Sequence, residues 1–136
     1  MACMLLIYQD PVQAYLLAML LEAESIDPII CHGLEQALAV CDARNDIDGV
    51  LLDLQTLKAD VGPLPARRHW SRHSSMPILG VSSYYDESDA EHICREFYLD
   101  GYLSLPVNPQ RFQQCIQHLL RDHVGQPSAL EFQSCS

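Results

Sequence analysis

Short apolar runs and amphipathic stretches alternate along this chain. Met4-Leu5-Leu6-Ile7-Tyr8 is a run of apolar and aromatic residues that stops at Gln9-Asp10-Pro11, as a strand covered on both faces does. Asp10 is a good N-cap, and Pro11 fits the first helical position, where its missing N–H costs nothing. From there Val12, Tyr15, Leu16, Met19, Leu20 and Ala23 recur at helical spacing, which predicts a helix to about Ser25 packed on a sheet through that face. Asp27-Pro28-Ile29-Ile30-Cys31 predicts a second strand, and its early proline suggests a sheet edge. Gly33 opens a second helix with Leu34, Ala37, Leu38 and Cys41 on one stripe. Asp46 to Asp48 then turn the chain into a third strand, Gly49-Val50-Leu51-Leu52-Asp53.

The pattern after Asp53 is the least regular. Gly62-Pro63-Leu64-Pro65 predicts a long loop and a short helix starting near Pro65. Met76-Pro77-Ile78-Leu79-Gly80-Val81 is a fourth strand. Ser88-Asp89-Ala90-Glu91 has the spacing of a capping box ahead of Ala90, Ile93, Cys94 and Phe97. Asp100-Gly101 turns the chain into Tyr102-Leu103-Ser104-Leu105, which Pro106 stops. Asn108-Pro109 repeats the cap-plus-proline start of a helix whose apolar face is Phe112, Cys115, Ile116 and Leu119. Residues 124–136 show no period and read as a loose tail on a domain of residues 1–123. Strand then helix, five times over, predicts an α/β fold: a five-stranded parallel sheet, flavodoxin-like (βα)5, in the order 2-1-3-4-5 with helices on both faces. Asp53 then stands at the carboxyl end of the central strand, beside the Gln9-Asp10 turn at the switch point, where reactive groups of such sheets collect.

Composition narrows the uses of this sheet. The chain has 136 residues, one domain's worth, and a net charge of −10 with only eight Lys and Arg, which argues against nucleic acid and anionic membranes as partners. Its one positive cluster is Arg67, Arg68 and Arg72 with His69 and His73, read as a solvated helix face or a docking site for an acidic partner. The six cysteines have no metal-ligand spacing and read as mostly buried reduced thiols, with Cys135 in the tail as the exception. No apolar stretch is long enough to span a bilayer, and the expected location is the cytoplasm.

The turns exclude several activities. Gln9-Asp10-Pro11-Val12-Gln13 is neither the Ser/Thr/Gly-rich phosphate loop of a flavodoxin nor G-x-G-x-x-G, and no G-x-S-x-G elbow or H-E-x-x-H zinc motif is present. What remains resembles the CheY-like receiver domain of bacterial two-component response regulators, over roughly residues 4–120. The resemblance rests on Leu6-Ile7-Tyr8-Gln9-Asp10-Pro11, Gly49-Val50-Leu51-Leu52-Asp53-Leu54, Met76-Pro77-Ile78-Leu79-Gly80-Val81-Ser82 and Asp100-Gly101-Tyr102-Leu103-Ser104-Leu105-Pro106, four matches in order at the expected strand ends.

The resemblance implies that Asp53 is the phosphoacceptor, Ser82 the switch hydroxyl and Tyr102 the switch aromatic. It also implies departures. Tyr8 and Gln9 occupy the positions of the acidic pair that binds Mg²⁺, and Leu105 occupies the position of a lysine. The candidate metal positions are therefore Asp53, Asp10 and Gln55, a weak or absent Mg²⁺ site unless a one-residue shift brings Asp10 to it or Lys58, the only lysine, folds over it. Phosphoryl transfer to a carboxylate builds negative charge that a metal and an ammonium neutralise, so their loss is expected to slow it greatly. Residue by residue the plainer roles are a helix cap for Asp10, loop hydrogen bonding for Asp53, a turn hydroxyl for Ser82 and packing for Tyr102. The first expectation is a stand-alone, degenerate receiver that works through protein–protein interaction, with no enzyme activity beyond self-phosphorylation of Asp53. Its partners would be a histidine kinase or a downstream effector, and a homodimer through the fourth helix, fifth strand and fifth helix is a further possibility. On that surface Tyr84, Tyr85, Tyr98 and Tyr102 are expected close to the Phe112–Leu119 helix. The alternatives are a working Mg²⁺-dependent phosphoacceptor and an unrelated ligand-binding flavodoxin-like protein.

Overall fold

A computed structural model describes residues 2–56, 76–97 and 99–125. Five parallel strands lie in the order β2-β1-β3-β4-β5, as the alternation of elements predicts. They are β1 (Ala2–Ile7), β2 (Ile26–Cys31), β3 (Gly49–Asp53), β4 (Ile78–Ser82) and β5 (Gly101–Ser104). The described helices, numbered in chain order, are α1 (Pro11–Ala23), α2 (Leu34–Ala43), α3 (Ala90–Phe97) and α4 (Pro109–Gly125). The loop and helix expected around Pro65, with Lys58 and the arginine–histidine cluster, lie outside the described residues, as does the chain from 126 onward with Cys135. Among the described residues no helix is long and apolar enough to cross a membrane.

Strand alternation sorts the core onto two sides of the sheet. Cys3, Leu5, Ile7, Val50, Leu52 and Tyr102 face α2 and α3. Met4, Leu6, Leu51, Leu79, Val81 and Leu103 face α1 and α4. The expected apolar stripes of α2 and α4 are the ones used: Leu34, Ala37 and Cys41 are buried with Leu38 packed beside them, and Phe112, Cys115, Ile116 and Leu119 are all buried. In α1 the expectation holds only for Leu20, which packs half-buried against the core. Ala14, Leu17, Ala18 and Leu21 face the sheet, while Val12, Tyr15, Leu16 and Met19 point to solvent. The helix is apolar around most of its circumference, so spacing alone cannot choose a face, and the alanines let the helix approach the strands more closely.

Capping follows the sequence at two helices. Asp10 Oδ1 accepts from the Val12 N–H at 3.0 Å, and Asn108 Oδ1 accepts from the N–H groups of Gln110 and Arg111 at 2.8 and 3.3 Å. The capping box expected at Ser88 and Glu91 is not the arrangement found. Glu87–Asp89 form a 3-10 turn started by Asp86, and Glu91 pairs with Arg95 one turn along α3. Glu87 reaches across to β5, where its Oε2 accepts from the Ser104 N–H at 3.3 Å while its Oε1 pairs with Arg111. The Leu105–Pro106 peptide bond is cis.

The cysteines divide. Cys3, Cys31, Cys41 and Cys94 are buried and free, and burial pushes the Cys41 thiol up to about 11 and the Cys94 thiol up to about 12. Cys115, expected among the reduced thiols, is instead disulfide-bonded.

The two Asp-Gly turns share one device. Asp48 donates its N–H to the Cys3 carbonyl at 2.7 Å, and its Oδ2 accepts from the Cys3 N–H at 2.8 Å. Asp100 does the same to Ile78, at 2.8 and 2.7 Å. Each aspartate thus tethers a neighbouring strand, β1 or β4, before its own strand begins. Asp48→Ala and Asp100→Ala are each expected to cost about 1–3 kcal/mol in urea unfolding, because each leaves a strand N–H without its acceptor. A loss within error of zero for both would show that water replaces the carboxylate freely.

Candidate functional site

Asp53 ends β3 with its side chain buried, and the β3–β4 register sets it opposite Val81, one residue before Ser82. Asp53 and Ser82 therefore meet at the carboxyl edge of adjacent strands. Both carboxylate oxygens of Asp53 are engaged close by. Oδ2 accepts from the Thr56 N–H at 3.1 Å and the Thr56 hydroxyl at 2.8 Å, and Oδ1 accepts from the Gln55 N–H at 3.4 Å. This is N-cap geometry, in which a short polar side chain gathers first-turn amides that would otherwise lack partners. Residues 54–56 have accordingly turned helical.

Thr56 is itself buried, and its hydroxyl also accepts from the Gln9 N–H at 3.0 Å. One hydroxyl thus joins the turn after β1 to the turn after β3. Thr56 does not stand out in the apolar and polar pattern of the sequence. The available signal was Asp-x-x-Thr across a strand-to-helix turn, the spacing that a cap and its third helical residue have.

Of the flanking positions Tyr8, Gln9, Asp10 and Leu105, only Asp10 carries a carboxylate. Tyr8 is buried in the cluster that contains Met4, Leu6 and Leu17. Burial first, and then the charges of Asp53 and Asp10, push its hydroxyl up to about 12, so the group near both carboxylates stays a neutral phenol at pH 7. Gln9 is exposed, and Asp10 holds the first turn of α1. Leu105 packs half-buried against the same α1–α4 cluster as Tyr8.

Ser82 and Tyr102 are both buried. Ser82 Oγ accepts from the Tyr84 N–H at 2.9 Å. The Tyr102 hydroxyl is placed to donate to the carbonyls of Ser82 and Tyr85, at 3.0 and 2.7 Å, and so pins the segment after β4. Burial raises the pKa of this hydroxyl above the ordinary tyrosine value. Among the described residues, the tyrosine group expected beside the last helix is not found. Tyr102 and Tyr85 belong to the α2–α3 side and Phe112 to Leu119 to the other, because Tyr102 and Leu103 alternate across the sheet. Tyr84 projects into solvent, and Tyr98 lies outside the described residues.

A carboxylate that accepts a phosphoryl group needs positive charge nearby to neutralise what builds up in the transition state. Mg²⁺ at such a site takes near-octahedral oxygens, including one or two carboxylates. Of the candidate metal positions, Asp53 brings a buried carboxylate held by Thr56 and Gln55, exposed Asp10 has Oδ1 on the Val12 N–H, and Tyr8 brings a neutral phenol in place of a carboxylate. Among the described residues no three His, Cys, Asp or Glu side chains converge to hold a metal. Arg44, Arg95 and Arg111 are paired elsewhere, with Asp46, Glu91 and Glu87.

No family model and no curated protein matches the chain. Solved structures do match its fold, and they are mostly receiver domains. A response regulator receiver domain protein from Clostridium thermocellum is 19% identical with a TM-score of 0.75, over 89% of this chain and 95% of that one. A CheY-like receiver domain protein from Methanospirillum hungatei JF-1 is 18% identical with a TM-score of 0.75, over 91% of this chain and 97% of that one. The signal receiver domain of an HD domain-containing protein from Pseudomonas fluorescens Pf-5 is 20% identical with a TM-score of 0.77, over 92% of this chain and 98% of that one. The fold is that of receiver domains.

Proposed function

We propose that this receiver-fold chain is a two-component signalling module that acts by binding protein partners, with phosphorylation of Asp53 weak or absent. The observation that carries the reading is the engagement of Asp53 by Thr56 and Gln55, with a neutral Tyr8 where an anion would be needed. The module turns over no substrate. Its partners are a histidine kinase or a downstream effector in the cytoplasm. The surface for an effector is the one built by α3, β5 and α4, which Glu87 braces by joining Arg111 to the Ser104 N–H.

The test is intact mass after incubation with Mg²⁺ and acetyl phosphate, beside a receiver known to be phosphorylated. No adduct is expected under conditions that label the control fully. A single phosphoryl group, lost in Asp53→Asn, would overturn the reading in favour of a working phosphoacceptor.

A further inference from the structure

Helix α1 carries two apolar stripes, and the sheet uses one. The other consists of Val12 and Tyr15, 64% and 63% exposed, and Leu16 and Met19, each 49% exposed. Their i, i+3, i+4, i+7 spacing makes one continuous face, of the kind that packs against another helix. Exposed acids stand at both ends of it. Asp10 caps the first turn, and Glu22 lies three residues past Met19 and seven past Tyr15, one turn further along the same face. About 18 Å of helix axis separates these two acidic positions, at about 1.5 Å per residue.

We propose that this face is a docking site for a cationic amphipathic helix of a partner protein. The partner's apolar stripe would lie on Val12, Tyr15, Leu16 and Met19, with its Lys or Arg side chains on Asp10 and Glu22. The charge distribution selects this occupant. No Lys or Arg precedes Arg44 in the chain, while Asp10, Glu22, Glu24, Asp27, Glu35 and Asp42 all do. Beside α1 lies α4, joined to it by Gln117 Nε2 donating to Glu24 Oε1 at 3.4 Å. The exposed residues of α4 include Gln113, Gln114, Gln117 and His118. Among the described side chains of these two helices the one Lys or Arg is Arg111, which pairs with Glu87. The cations that complement Asp10 and Glu22 are then the partner's.

Other occupants fit this charge pattern poorly. A second copy packed antiparallel would set Glu22 against the Asp10 end of the other copy, and one packed parallel would set Glu22 on Glu22. Acid meets acid either way. An anionic bilayer or a nucleic acid meets the same repulsion. Tyr15 and Met19 suit a cationic helical guest, because a phenol ring attracts an Arg or Lys head and a thioether adapts to the shape packed on it. The face adds a second surface to the binding-module reading, apart from α3, β5 and α4, and does not depend on the state of Asp53.

The test is calorimetric titration of the full chain with an amidated helical probe peptide of about 18 residues. Its leucines follow the i, i+3, i+4, i+7 pattern, and its lysines flank that stripe about 12 residues apart. A Kd of about 10 µM is expected. The same peptide with Glu for Lys, and a shuffled peptide that keeps the lysines but breaks the stripe, are each expected to bind roughly 10-fold more weakly or worse. Glu22→Lys, at an exposed position, is expected to weaken the lysine peptide roughly 10-fold and to strengthen the glutamate peptide. Leu16→Ser with Met19→Ser is expected to abolish binding with the far-UV circular dichroism unchanged; should that pair unfold the chain, the charge reversal at Glu22 decides alone. Equal affinity for the lysine and glutamate peptides, equal affinity for the ordered and shuffled ones, or indifference to Glu22→Lys overturns the proposal. Sedimentation equilibrium up to about 100 µM is expected to give the 15.3 kDa monomer. A dimer lost in the serine variant would make a second copy the occupant, and binding to phosphatidylserine vesicles lost in that variant would make it a membrane; either overturns the proposal.

Discussion

Tyr8→Asp, Gln9→Asp and Leu105→Lys, made together, are expected to raise the rate of Asp53 phosphorylation from acetyl phosphate by roughly a thousand-fold or more. Each restored charged contact contributes about 1.5–3 kcal/mol, and about 1.4 kcal/mol is tenfold in rate. The variant is also expected to bind Mg²⁺ measurably by titration, because two carboxylates replace a neutral phenol and an amide. It will be less stable than the parent. Tyr8 is buried, so aspartate there removes packing and buries charge, whereas Leu105 is half-buried and a lysine can run its stem along the same surface. Circular dichroism establishes that the variant folds, and Asp53→Asn in its background must abolish the adduct. A folded variant that binds Mg²⁺ and still takes no phosphoryl group would mean that missing charge is not what silences the site. The hold of Thr56 on Asp53 would then be the block.

Tyr102→Ala is expected to cost about 3–5 kcal/mol, a large part of the ~5–15 kcal/mol that stabilises a domain. The side chain is fully buried, so its removal leaves a cavity beneath α3 and also frees the carbonyls of Ser82 and Tyr85. Tyr102→Phe keeps the ring and loses only the hydroxyl, at about 1–3 kcal/mol. Urea unfolding gives both numbers. Hydrogen exchange separates the two contributions: in the phenylalanine variant the Tyr84 and Tyr85 amides should exchange faster while those of β4 stay protected. Equal costs for the two variants would mean that packing of the ring matters little and the hydroxyl alone holds the loop.

The strand order, the Asp10 and Asn108 caps and the inward faces of α2 and α4 were legible in the sequence because each has one strong reading. A five-residue apolar run between turns, or a cap followed by proline, has few competitors. The α1 face was not legible: Ala14 and Leu17 compete with Val12 and Tyr15 on a helix whose one charged residue is Glu22, and only the sheet decides. At the site, position alone put Asp53, Ser82 and Tyr8 at the carboxyl edge. The role of Thr56 was hidden because its partners are the side chain three residues before it and a backbone N–H from a different turn, Gln9. Ser88 failed as a cap for a related reason. The chain tightens into a 3-10 turn one residue earlier, at Glu87, whose carboxylate has work to do on β5.

The margins of the sheet have a consequence for crowded conditions. A strand with open amides along its free side is a template on which another chain can add, and such addition, once begun, does not stop at two. At one margin, β2 offers the charged Asp27 and then Pro28, which has no N–H to give. At the other, β5 is four residues long, and the Ser104 amide is already held by Glu87. Both borders are therefore poor starting points for ribbon-like growth, and copies of this chain that meet at high concentration are steered toward contacts of finite size.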